Sequence, residues 1–129
     1  MEEINKVLGN FWALEITDFK YDFFNAEIVI RLAADKDEDV LEHELRFINC
    51  ASFTWLGRSE DSYGDDFERY IYCELTSINI GIIGAESRER WLEHYPMKYN
   101  VSAEIGVSAL LINAVEIVID GQHYLLPKC

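Results

Sequence analysis

The chain has 129 residues, of which 50% are hydrophobic and 13% aromatic, and this size and composition are usual for one folded domain. Its 24 acidic residues outnumber the 11 basic ones, which gives a formal net charge of −13. A surface of that sign repels phosphate backbones and anionic lipids, so it argues against direct binding to nucleic acid or to a membrane. The size and composition predict a single domain over residues 1–129, and the strand patterns described below predict that it is β-rich. The charge suits either solubility alone or a basic protein partner.

The N-terminus and the cysteines predict a cytoplasmic protein. The chain opens with the acidic sequence Met1-Glu2-Glu3, whereas a secretory signal begins with positive charge followed by an apolar run. No stretch approaches the roughly 20 apolar residues of a membrane-spanning helix. The three cysteines, Cys50, Cys73 and Cys129, are odd in number and lack the spacing of a metal site. We therefore expect them to be reduced thiols.

Alternation of apolar and polar residues with a period of two dominates the first half of the chain and predicts β-strands. The first strand begins near Trp12, and its apolar parity changes after Asp18, which predicts a β-bulge or a sharp bend. A turn over residues 22–25 leads directly into the next strand. The acidic run Ala34–Asp39 is expected to be an exposed loop. The alternation over residues 41–55 predicts one long strand, or two with a bend near Asn49.

The second half begins with a polar segment over residues 57–66 that we expect to be a second exposed loop, followed by one or two strands over residues 70–83. Residues 85–95 are the best helix candidate, because Glu86 and Arg90 have i,i+4 spacing and Pro96 would end the helix. Strands follow over residues 101–105 and 110–119, the second almost unbroken in its apolar character. The dipeptide Asp120-Gly121 then predicts a hairpin turn.

These elements together predict a mainly β fold. We expect an antiparallel β sandwich or a partly closed barrel of about seven or eight strands, with one short helix over about residues 85–95. Periodicity alone does not distinguish the sandwich from the barrel.

A search for catalytic or ligand-binding patterns finds none, and we predict a protein that is not an enzyme and holds no metal or cofactor. The histidines, at positions 43, 94 and 123, have no second ligand at a metal-like spacing. Cys50 and Cys73 lie within strand-like segments, where a thiol behaves as a small apolar group. The acids of residues 35–39 lack the glycine and the distal glutamate of an EF-hand loop.

Two segments carry a resemblance to a known family. They are Leu14–Phe24, and Tyr99–Ile105 continuing through Ser108–Val118 to the Asp120-Gly121 hairpin. Together they resemble the small acidic YxiG-like proteins of Bacillus and related Firmicutes. Many of those proteins are encoded beside large polymorphic or contact-dependent toxins. The resemblance therefore implies an immunity protein, without catalytic residues, that neutralises a cognate toxin domain, such as a nuclease.

An immunity protein benefits from rapid association, and acidic loops on a rigid scaffold would suit the basic cleft of a nuclease. The candidate partner-binding residues lie in the two acidic loops and comprise Asp35, Asp37, Glu38, Asp39, Glu60, Asp61, Tyr63, Asp65, Asp66 and Phe67. Among them, Tyr63 and Phe67 are candidate aromatic anchors. The alternatives are a small-molecule-binding barrel or sandwich lined by Trp12, Phe47, Phe53 and Trp55, and an accessory subunit that pairs through a strand edge.

Overall fold

The computed structural model describes residues 2–36, 39–57, 74–83, 98–106 and 108–128. Helix α1 (Glu2–Leu8) and a 3-10 turn (Gly9–Phe11) precede nine strands in these ranges. The strands are β1 (Leu14–Asp22), β2 (Glu27–Lys36), β3 (Asp39–Ile48), β4 (Ser52–Leu56), β5 (Glu74–Ile83), β6 (Tyr99–Ile105), β7 (Ser108–Asn113), β8 (Glu116–Ile119) and β9 (Gln122–Leu125). The predicted mainly β class is confirmed, with more strands than expected. The predicted helix over 85–95 lies outside the described residues.

All nine strands join in one antiparallel sheet with the order β4-β7-β6-β5-β1-β2-β3-β8-β9, and the sheet is not closed into a barrel. Among the described residues, β1 pairs with β5 through Leu14 with Leu75 and Glu15 with Glu74, and we call this contact the seam. The seam divides the sheet into a four-stranded part (β4, β7, β6 and β5) and a five-stranded part (β1, β2, β3, β8 and β9).

A bent two-stranded ribbon connects the two parts a second time. Strands β3 and β4 pair in turn with β8 and β7, and across the bend the Ala51 amide donates to the Asn113 carbonyl at 2.8 Å. Asn49 takes up the bend with a φ of 53°, which confirms the bend predicted near this residue. The prediction of one strand over residues 110–119 is wrong, because β7 ends at Asn113 and β8 begins only at Glu116.

The inner faces of both parts bury one hydrophobic core. It is formed by Ile28, Ile30 and Leu32 of β2, Leu45 and Phe47 of β3, Leu75, Ile78 and Ile80 of β5, Val101, Ala103 and Ile105 of β6, Leu110 and Ile112 of β7, and Ile117 and Ile119 of β8. Helix α1 covers one side of this core with Ile4 and Leu8, and Phe11 of the 3-10 turn extends the same contact. Cys50 lies in the core at the ribbon bend, where burial raises the pKa of its thiol.

The hairpins test the turn predictions directly. The β1 bulge is confirmed as a register shift between Ile16 and Asp18, and the Asp120-Gly121 hairpin is confirmed with φ values of 49° and 87°. The loop predicted for Ala34–Asp39 is wrong at the residues that the structure describes, because β2 runs to Lys36 and β3 begins at Asp39, which pairs with Lys36. Residues 37 and 38 lie outside the described residues. Charged side chains do not prevent main-chain pairing, so an acidic run can continue a strand hairpin.

No helix in the described part of the chain is long and apolar enough to cross a membrane.

Candidate functional site

The structure tests little of the predicted acidic surface. Asp35 lies in β2 opposite Val40, and Asp39 lies in β3 opposite Lys36. Asp37 and Glu38 fall outside the described residues, as do Glu60, Asp61, Tyr63, Asp65, Asp66 and Phe67. A binding role for these acidic residues therefore stays a prediction, although Asp35 and Asp39 lie in strands and not in a loop.

A cluster of exposed aromatic side chains stands at the hairpin between β1 and β2. It consists of Tyr21, Phe23 and Phe24, and we call it the aromatic tip. Phe24 is 94% exposed, Phe23 76% and Tyr21 40%. The rings contact one another in sequence, with centroids 6.5 Å apart for Tyr21 and Phe23 and 5.9 Å apart for Phe23 and Phe24. Tyr21 also packs on Phe53 of β4 at 4.8 Å, so the tip is continuous with the core margin.

Hydrogen bonds to the Asp22 carboxylate brace the turn that carries the aromatic tip. Its Oδ1 accepts from the main-chain amides of Phe24 at 3.0 Å and Asn25 at 3.2 Å, which is the pattern of an Asx turn. Its Oδ2 accepts from the side-chain amide of Asn25 at 2.7 Å. The Asn25 side chain, followed by the main-chain amides, lowers the pKa of the Asp22 carboxyl by favouring its charged form. The two phenylalanines are thus presented on an ordered turn.

The end of this hairpin is fastened to the rest of the protein. Ala26 adopts a φ of 52°, a left-handed conformation that costs a non-glycine residue roughly 1–2 kcal/mol. Its carbonyl accepts the amide of Cys50 at 2.8 Å, which joins the hairpin to the ribbon bend. The tip therefore combines two highly exposed phenylalanine rings with a fixed backbone, as a preorganised binding element does.

Carboxylates lie directly beside the aromatic tip. Asp22 and Glu27 occupy opposite positions at the base of the hairpin. Glu27 is 3.7 Å from Arg46, whereas no cation among the described residues forms a salt bridge with Asp22. Like charges at directly opposed strand positions are destabilising. Arg46 offsets the charge of Glu27, so Asp22 carries the negative charge that remains uncompensated beside the tip among the described residues.

A polar cleft of about 430 Å³ opens elsewhere on the five-stranded part, between the β1 bulge, β2, β3 and the β8–β9 turn. Within it His43 Nδ1 lies 2.7 Å from Asp120 Oδ2, and the Glu44 amide donates to Asp120 Oδ1 at 2.8 Å. The Thr17 hydroxyl, the one hydroxyl of the lining, lies within hydrogen-bond range of the Arg31 carbonyl at 3.4 Å. The two contacts of Asp120 brace the β8–β9 hairpin against β3.

The residues predicted to line a ligand-binding interior are not brought together. Phe47 is fully buried in the core and Phe53 packs at its margin, whereas Trp12 and Trp55 are exposed. A second cavity, of about 280 Å³, lies between α1 and β5 beside Trp12 and opens to solvent. No group of three or more potential metal ligands occurs in the part of the chain that the structure describes.

Sequence reasoning missed the aromatic tip, although it predicted the turn that carries it. The sequence Asp22-Phe23-Phe24-Asn25 contains the signal, because a tight turn lies on the surface and its side chains have little to pack against. Two adjacent phenylalanines inside such a turn indicate an exposed apolar surface. Strand periodicity does not reveal this, since it assigns the alternate aromatic residues of β1 to a buried face.

Comparison with known families gives one result. The family model described as YxiG-like protein matches residues 4–124, which extend from α1 into β9. The match confirms the resemblance at both ends of the sequence and extends it through the middle. A search of curated proteins finds no match to the chain.

Proposed function

The chain belongs to the YxiG-like family, and on this premise we propose that it is a non-enzymatic cytoplasmic protein that neutralises a toxin domain by binding it directly. The proposed partner is the variable C-terminal domain of a large bacterial toxin encoded beside this gene. Binding alone would neutralise the toxin, because a tight complex can block access to the toxin's substrate. The proposal assigns no chemical step to this chain.

The observation that carries the proposal is the exposure of the aromatic tip on an ordered turn. Phe23 and Phe24 contribute little buried area to the folded chain, so their retention on the surface is not explained by the stability of the fold. Aromatic residues are enriched at the energetic centres of protein interfaces. A fixed aromatic element loses little conformational entropy on binding, which favours a tight complex.

The net charge of −13 supports the same proposal through the rate of association. Attraction between an acidic protein and a basic toxin domain raises the encounter rate above that of a neutral pair. The predicted acidic loops and the carboxylates described beside the aromatic tip would contribute to this attraction. Rapid association matters because the toxin must be inhibited before it damages the cell.

A second candidate is an accessory subunit that pairs through a strand edge. The observation in its favour is the strand order, which places β9 at one edge of the sheet, where its described pairing is with β8. An unpaired strand edge can accept a strand from another chain. This candidate predicts a stable complex with a protein that is not a toxin.

The test is coexpression of the chain with the toxin domain encoded by the neighbouring gene. We expect growth to be rescued and a complex to survive gel filtration at physiological salt. A toxin domain of another sequence class, expressed in the same way, serves as the control and should stay toxic. The proposal is wrong if growth is not rescued and the two proteins elute separately. Rescue without a complex would also contradict neutralisation by binding.

A further inference from the structure

We propose that the aromatic tip inserts into an apolar pocket of a basic protein partner, whose lysine or arginine side chains face Asp22 and Glu27. The inference rests on the proposed function, since the partner is the toxin domain named there. The binding element is the aromatic tip, and the complementary surface is an apolar pocket with a basic rim. The aromatic rings stabilise the complex, and the carboxylates raise its rate of formation.

The exposure pattern identifies the inserted element. Phe24 projects almost fully into solvent, and Phe23 contacts it edge to face. Behind them Tyr21 contacts both Phe23 and Phe53, so the outer rings are supported by a side chain that packs on β4. A projecting, supported pair of rings suits a concave partner better than a flat one, because only a concave surface removes both faces of a ring from water.

The charges beside the tip define the rim of the partner's pocket. Asp22 and Glu27 face each other across the hairpin, and the hydrogen bonds to Asp22 come from amides, which are neutral. A lysine or arginine at the rim would relieve the repulsion between the two carboxylates. The same cation would lie near the aromatic faces, where a cation–π contact adds to the attraction.

The charge also argues against a second copy of this chain as the occupant. Each copy carries a formal charge of −13, so two copies repel each other at low and moderate ionic strength. A basic partner does not meet this repulsion.

The experiment measures association and dissociation rates with a catalytically inactive form of the neighbouring toxin domain. The test variants are F23A, F24A and E27Q in the full chain. The controls are L125A and W12A, because Leu125 on β9 is 77% exposed and Trp12 is 69% exposed, both comparable with Phe23. All variants should unfold at nearly the same temperature as the wild type, since the substituted side chains are exposed or lie at a surface ion pair.

We expect F23A and F24A each to raise the dissociation rate constant about 10- to 100-fold, with much smaller changes in the association rate constant. E27Q should lower the association rate constant about twofold to fivefold at low salt and reduce its dependence on salt. L125A and W12A should leave both rate constants within about twofold of the wild type, as residues outside the interface do.

Three results would overturn the inference, and they are distinguishable from one another. If the complex forms but F23A and F24A dissociate like L125A, the tip is not the binding element and the proposed function stands. If no complex forms, the proposed function fails and the inference with it. If sedimentation shows a wild-type dimer that F24A converts to a monomer, the occupant of the tip is a second copy of the chain.

Discussion

Asn5 in α1 and Ile80 in β5 hold each other through two hydrogen bonds that run in opposite directions. The Ile80 amide donates to Asn5 Oδ1 at 2.9 Å, and Asn5 Nδ2 donates to the Ile80 carbonyl at 3.2 Å. An adjacent strand would offer the same donor and acceptor. The side chain of one helical residue thus takes the place of a strand neighbour where the pairing of β1 with β5 has ended.

Removal of the Asn5 side chain should therefore loosen α1 from the sheet. We expect Asn5→Ala to lower the free energy of unfolding by about 1–3 kcal/mol, because it leaves the main-chain groups of Ile80 without these partners. Urea unfolding followed by tryptophan fluorescence measures the change. Asn10→Ala, at an exposed position of the 3-10 turn, is the control and should change the stability by less than about 0.5 kcal/mol. Equal stabilities of the two variants would contradict this role for Asn5.

Asn100 is a buried polar side chain, only 1% exposed, and it fixes the short connection between β7 and β8. Its amide donates to the carbonyls of Ala114 at 2.6 Å and Pro127 at 2.9 Å, and its oxygen accepts the Ala114 amide at 3.1 Å. We expect Asn100→Ala to destabilise the fold by about 3 kcal/mol, since it leaves several buried main-chain groups unsatisfied. Asn79→Ala on the exposed side of β5 provides the comparison in the same denaturation experiment. A loss below 1 kcal/mol would show that water replaces the amide.

Gly121 is required by the conformation of the β8–β9 turn and not by the space around it. Its φ is 87°, and a Cβ atom added to it would contact nothing within 4 Å. We expect Gly121→Ala to lower the free energy of unfolding by about 1–2 kcal/mol through backbone strain alone. A Cβ atom added at Gly9 would also contact nothing within 4 Å, and Gly9 does not have a left-handed φ. Gly9→Ala should therefore leave the free energy of unfolding unchanged or raise it slightly. A similar loss in both variants would refute the conformational explanation.

The Asp22 carboxyl should titrate at a lower pH than an ordinary aspartate because of its bonds to Asn25 and Phe24. Asn25→Ala removes the largest cause of the lowered pKa, so we expect the midpoint of the Asp22 carbon resonance to move to higher pH in this variant. Carboxyl-detected NMR measures the midpoint, and Asn10→Ala should leave it unchanged.

The lowered pKa of Asp22 also fixes the sign of a stability effect. A carboxyl with a folded pKa below its unfolded value of about 4 stabilises the folded chain above that pH, and the contribution is lost as the pH falls through the folded pKa. The stability difference between the wild type and Asn25→Ala should therefore be largest at neutral pH and should shrink on acidification. A difference that grows on acidification would contradict this linkage.

Local chemistry predicted the turns of this protein well, because each depends on a few adjacent residues. Asp120-Gly121 suits a turn with two positive φ values, and the change of apolar parity at Asp18 corresponds to a real bulge. Helix α1 was missed even though Ile4, Leu8 and Phe11 have helical spacing. Its seven residues are too few for a stable isolated helix, and its contact with β5 is visible only in the folded chain.

The errors of the sequence prediction come from long-range contacts. Residues 110–119 contain no local break, and the interruption at Ala114 depends on Asn100 and on the need for the ribbon to bend. The aromatic tip was missed for a similar reason, since the pattern of β1 does not show that Phe23 and Phe24 are exposed in the folded chain. The first acidic segment, which we predicted as a loop, is described in part and lies in two paired strands. The second acidic loop and its aromatic residues lie outside the described residues.

The bent ribbon makes the four-stranded part an insertion within the five-stranded part. The chain leaves β3 at Ile48 and returns to β8 at Glu116, and these two residues are paired with each other. Immediately beyond the bend, Ser52 is paired with Asn113. The chain therefore leaves the five-stranded part and returns to it at adjacent positions. Residues 52–113 form one continuous segment whose two ends are paired with each other. The strands of the hairpin that carries the aromatic tip, β1 and β2, pair with each other outside this segment, and the tip meets the segment through the contact of Tyr21 with Phe53.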